Sequence, residues 1–88
     1  MIINTRPPAV AGSFYPGDPA TLSATVERLL ADADAVPGIQ PKALIVPHAG
    51  YVYSGSTAAT AYATLAPWAK TIRRVILLGP THRVAVDG

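Results

Sequence analysis

His48 and His82 are the only histidines in the chain, and each follows a short apolar run. The first run is Ala43-Leu44-Ile45-Val46, leading into Pro47-His48-Ala49-Gly50-Tyr51. The second is Val75-Ile76-Leu77-Leu78, leading into Gly79-Pro80-Thr81-His82-Arg83. Imidazole nitrogens suit zinc, copper, iron and nickel. Two of them on neighbouring strand ends could converge on one ion, since adjacent strands lie about 4.8 Å apart. The competing reading makes each a hydrogen-bonding loop residue. A usual catalytic metal site also needs a third protein ligand. Asp87 is the nearest carboxylate after His82, and it reads as a solvated side chain. The wide sequence separation of the histidines leaves no local zinc signature.

Tyr51, Tyr53 and Ser54 lie beside the first histidine. They could line a pocket and donate hydrogen bonds to a ligand. They could equally pack over a sheet end, with Ser54 capping a helix. Ser13, Ser54 and Ser56, together with two histidines and Asp87, raise serine hydrolysis as another chemistry. The strand-to-helix serine elbow G-x-S-x-G is absent, and that reading ranks low. Gly50 and Gly55 match neither the dinucleotide fingerprint nor the phosphate-loop pattern.

Residues 1–17 read as irregular, broken by Pro7, Pro8, Gly12, Pro16 and Gly17. Val10, Phe14 and Tyr15 are apolar, so this arm is expected to pack on something. Asp18-Pro19 signals a helix start, with Asp as N-cap and Pro at the first helical position. Leu22, Val26, Leu29 and Leu30 then form one apolar stripe. Residues 42–47 read as a first strand. A second helix is expected near Ser54 or Ser56, with Ala58, Ala61, Tyr62 and Leu65 on its inner face and Pro67 at its end. Residues 73–78 read as a second strand. The predicted fold class is α/β, a βαβ unit with parallel strands and a preceding helix. Such a crossover is right-handed almost without exception. Both histidines would then emerge at one sheet edge, where open α/β folds bind ligands. The N-terminus of the crossover helix would face that edge and favour an anion.

The strands lack polar alternation and should be covered on both faces. Two helices are too few for that, so the reading is part of a larger α/β domain with exposed apolar surface. Charged residues make up 14% of the 88 positions, against about 25% in a typical soluble domain. A net charge of +2 is too small and scattered for nucleic acid, and Arg73-Arg74 is a single adjacent pair. With no cysteine, the chain offers neither a disulfide nor a thiolate ligand. No apolar run approaches the roughly 20 residues of a membrane span. The start of the chain lacks a signal-peptide pattern, and a cytoplasmic protein is expected.

Three motifs carry a resemblance. Arg6-Pro7-Pro8-Ala9-Val10-Ala11-Gly12-Ser13-Phe14-Tyr15-Pro16, Pro47-His48-Ala49-Gly50-Tyr51-Val52-Tyr53-Ser54-Gly55 and Leu77-Leu78-Gly79-Pro80-Thr81-His82 are similar to the Memo family. Its bacterial and archaeal members are called AmmeMemoRadiSam system protein B. The resemblance covers nearly all of residues 1–88, as the N-terminal portion of a single Memo-like domain. It implies a fold like that of class III extradiol dioxygenases, and it makes His48 and His82 metal ligands. The third ligand in characterised members, a later cysteine, is not in this chain. The resemblance implies iron or copper as cofactor, and redox or dioxygenase-like chemistry in the full-length protein. This chain alone would be inactive. Ser13, Phe14, Tyr51, Tyr53, Ser54 and Thr81 would line the pocket. The implied partners are an unknown small-molecule or peptide ligand, a radical SAM protein and an AMMECR1-like protein. The alternative is a non-enzymatic adaptor that recognises a peptide or phosphate group in the same pocket, as animal members are described to do.

Overall fold

The computed structural model describes residues 5–80. Two helices organise it. The first, α1, runs Pro19–Ala31 and starts where the sequence directs. The Asp18 carboxylate accepts the Thr21 N–H at 2.9 Å and the Thr21 hydroxyl at 2.9 Å. The N–H bond, then the hydroxyl, hold the Asp18 carboxyl below its ordinary value. Both bonds favour the charged form. Pro19 gives up no ladder bond, because the first N–H groups of a helix have no partner inside it.

The second helix, α2, runs Tyr51–Ala63. It begins before either expected serine cap, Ser54 or Ser56. Gly50 is its N-cap, with φ −57° and ψ 155° and no side-chain cap bond. It also ends before Pro67. Pro67 instead lies in a 3₁₀ turn, Ala66–Trp68. Trp68 donates its indole N–H to the Ile39 carbonyl at 3.1 Å, tying the loop after α1 to this turn.

The helices pack on each other across the smallest residues of α2. Gly55 is buried on α2, and a Cβ there would lie 3.2 Å from Leu29 Cδ1 of α1. Glycine thus lets the two helices close up. Leu22, Val26 and Leu29 of the apolar stripe are half-buried, whereas Leu30 is exposed. On α2 the deepest positions are Ser54, Gly55 and Ala59. Ala58, Ala61 and Leu65 are half-buried and Tyr62 is exposed, so the inner face is rotated from the expected one.

Neither 42–47 nor 73–78 forms a strand. Among the described residues the β-pairing is an isolated bridge between Ala11 and Tyr15. Ile45 is 100% exposed and Ile76 88% exposed. The βαβ unit is therefore corrected to a helix pair flanked by two apolar segments without a ladder. A strand is stable only with neighbours that complete its hydrogen bonds and cover its faces. The expected exposure of apolar surface is observed at the segments named for strands. No helix among the described residues is long and apolar enough to cross a membrane.

Candidate functional site

The turn that carries His48 is assembled from three parts of the chain. The N-terminal arm folds tightly on itself first. Ser13 and Phe14 N–H groups both donate to the Val10 carbonyl, at 3.1 and 3.0 Å, and Gly12 N–H donates to the Tyr15 carbonyl at 2.7 Å. Gly12 allows this with φ +88°, a region that side chains disfavour. The arm then docks on the start of α2. Tyr51 N–H donates to the Phe14 carbonyl at 2.8 Å. The Tyr15 and Tyr51 rings lie 5.9 Å apart, tilted by 40°, within the usual range for an aromatic pair. A Cβ on Gly50 would sit 3.4 Å from the Phe14 carbonyl oxygen, so arm and turn are in direct contact.

Beside this assembly lies a cavity of about 630 Å³. His48 lines it, as do Pro47 and Ala49. So do Leu77, Leu78, Gly79 and Pro80, the end of the second apolar segment. Val10, Phe14 and Tyr15 bring the arm into the wall, and Tyr51 and Ser54 bring the first turn of α2. The two apolar segments thus meet at one cavity although they form no ladder. A smaller hollow of about 330 Å³ includes Ser13 and shares Phe14, Tyr15, Leu29 and Tyr51 with the larger one. Those four side chains form a common wall.

Of the expected pocket residues, Phe14, Tyr51 and Ser54 line the cavity, and Ser13 lines the adjoining hollow. The Ser13 hydroxyl donates to Val10 at 3.1 Å, within its own turn. Tyr53 is 85% exposed and lines neither space. Tyr51 and Tyr53 are 200° apart around a helix, so only one of them can face inward. Thr81, His82 and Asp87 lie outside the described residues. Tyr15 was legible only as an apolar arm residue; its pairing with Tyr51 is long-range and has no local signal.

Ser54 does not cap α2. It is 7% exposed, and its hydroxyl donates to the Ala49 carbonyl at 2.9 Å. At the start of α2 the first N–H, that of Tyr51, donates to the Phe14 carbonyl. For a metal, His48 is the histidine among the described residues that lines the cavity. Among the described residues no three His, Cys, Asp or Glu side chains gather around a common point. The donor set present is compatible with part of a site and is not a whole one.

A helix pair with two uncovered apolar segments is a portion of something larger, and the comparisons with known proteins agree. The Memo-like protein family matches residues 6–88, and the chain belongs to that family. Membership implies a larger α/β domain. A MEMO1 family protein of Aquifex aeolicus is 44% identical over 80 residues, covering 91% of this chain and 28% of the relative. Protein MEMO1 of Danio rerio is 42% identical, covering 88% and 25% respectively. A MEMO1 family protein of Pyrobaculum arsenaticum is 40% identical, covering 91% and 31%. The chain therefore spans between a quarter and a third of the length of these curated relatives. No solved structure matches it.

Proposed function

We propose that this chain supplies two histidine ligands, His48 and His82, to a transition-metal site, iron or copper, in a Memo-like α/β domain. One observation carries the reading. His48 and Pro80 line the same cavity, and His82 follows Pro80 by two residues, which span at most about 7 Å of extended chain. Such an ion would supply Lewis-acid or redox chemistry. The remaining ligand comes from a part of the domain that this sequence does not include.

The chain's own residues have definable tasks. His48 stands in the cavity lining, where its imidazole would serve as a ligand. Phe14 and Tyr15 supply an aromatic part of the cavity wall. Tyr51 fixes that wall to the histidine turn through its N–H.

The test is a chimera in which this chain replaces the matching stretch of the Aquifex relative. Anaerobic titration with Fe(II) and Cu(I) should give one ion per chain. His48→Ala and His82→Ala should each abolish most of that binding. Unchanged metal content in both variants would sink the proposal. Binding of a peptide or phosphate ligand by metal-free chimera, with no effect of added metal, would establish the adaptor reading in its place.

A further inference from the structure

Three threonine hydroxyls on or just past these helices share one kind of bond. Thr25 donates to Thr21, Thr60 to Ser56 and Thr64 to Thr60, each to the carbonyl four residues back. This is the ordinary bond of a helical Ser or Thr side chain. Ser54 departs from it. Its shorter contact, 2.9 Å, is to Ala49, five residues back, and its contact to Gly50 is 3.4 Å. The Gly50 carbonyl already accepts the N–H groups of Tyr53 and Ser54, at 2.9 and 3.0 Å. The Ala49 carbonyl lies before the helix, outside its ladder. A hydroxyl has a single proton to give, and here it goes to the residue that follows His48.

We propose that Ser54 is a positioning residue for His48: its buried hydroxyl holds the Ala49 carbonyl and so fixes the turn from which the imidazole projects. The proposal rests on His48 being a metal ligand. Two ties then bracket the histidine turn. Ser54 holds Ala49 from within α2, and the Phe14 carbonyl holds Tyr51 from the arm. The Ser54 tie has a specific energetic character. Ala49 is exposed, so water can replace the hydroxyl at its carbonyl. Loss of the bond should therefore loosen the turn while leaving the helix pair folded. Ser56, two positions on, is exposed and serves as a matched control. Partners behind a metal ligand commonly control affinity by tenfold or more when removed.

The experiment has two arms. In the 88-residue chain, the His48 imidazole Cε1–H resonance and the Ala49 and Gly50 amides are followed by NMR at fixed pH. In the chimera, Fe(II) affinity is measured. Ser54→Ala should shift or broaden the His48 signal and weaken metal binding about tenfold, with helix content by circular dichroism unchanged. Ser54→Thr, which keeps the hydroxyl, should restore both, and Ser56→Ala should change neither. An unmoved His48 signal in Ser54→Ala overturns the proposal whatever the metal data. A shifted signal in a parent that binds no metal keeps the turn-positioning role and removes the ligand reading. If Ser54→Ala loses helix content, Ser54→Cys, similar in size with a weaker donor, is read by NMR alone. An unmoved His48 signal in that variant overturns the proposal equally.

Discussion

The Phe14 carbonyl and the Tyr51 N–H, far apart in sequence, meet at 2.8 Å. The bond does for α2 what a cap side chain does for α1. It satisfies one of the N–H groups that a helix leaves open at its start, and it does so with backbone from the N-terminal arm. The arm is thereby part of the histidine turn.

That dependence gives the first prediction. Gly12 holds the arm in a left-handed conformation, and a Cβ there would meet nothing within 4 Å. Gly12→Ala should thus act through backbone strain alone, costing about 1–2 kcal/mol. The loss should appear as faster hydrogen exchange at Tyr51, whose amide is held by the arm, with the α1 amides unaffected.

Gly55 tests the helix contact. Gly55→Ala brings a methyl 3.2 Å from the end of the Leu29 side chain, which can rotate away. The gain in helix propensity, about 1 kcal/mol, should offset that movement and leave stability nearly unchanged. Gly55→Val adds bulk that Leu29 cannot evade and should cost about 1–3 kcal/mol. Urea denaturation followed by circular dichroism separates the two outcomes.

Asp18 predicts a pH dependence with a definite sign. Its carboxyl is held below the ordinary value of 3.8 by the Thr21 N–H and hydroxyl. Its contribution is complete above that value and is lost as pH falls through the lower folded value. Helix content should drop on acidification below about pH 4, in the range where free carboxylates titrate. Asp18→Asn keeps an acceptor without the titration and should flatten that part of the profile. An identical acid profile in the variant would remove Asp18 as the cause.

Ile45 and Ile76 distinguish the chain from the domain. Both are almost wholly exposed, so Ile45→Asp and Ile76→Asp should leave the helix content of the 88-residue chain unchanged. In the chimera, where further strands can cover these segments, each should destabilise by several kcal/mol, on the order of 3–5, through burial of an unpaired carboxylate. Equal melting of parent and variant chimeras would show that the segments stay uncovered there too.

Local signals predict the structure where a local mechanism acts. Asp18-Pro19 predicts the start of α1 because the cap, its acceptor and the proline lie within four residues. The start of α2 is misplaced by the same logic, because Ser54 has the chemistry of a cap but is buried against Ala49. The true start depends on Phe14, a contact that no window around residue 50 contains. The apolar runs at 43–46 and 75–78 are legible as surfaces that want cover. Their strand form needs a ladder, which two helices do not provide. His48 and Pro80 line one cavity although the segments before them form no parallel ladder, and Tyr53 faces away for reasons of helical phase.

Trp68 is the only tryptophan, and its indole N–H is bonded to Ile39. It lies beyond the far end of α2, while His48 lies before the near end. Thirteen residues of helix separate them by about 20 Å. Intrinsic emission at long wavelength therefore reports on the loop behind the helices and is remote from the histidine turn. The tyrosines paired at 15 and 51 are optical probes that sit beside it. A metal titration that changed Trp68 emission would mean that α2 had shifted along its length, carrying the signal as a rod.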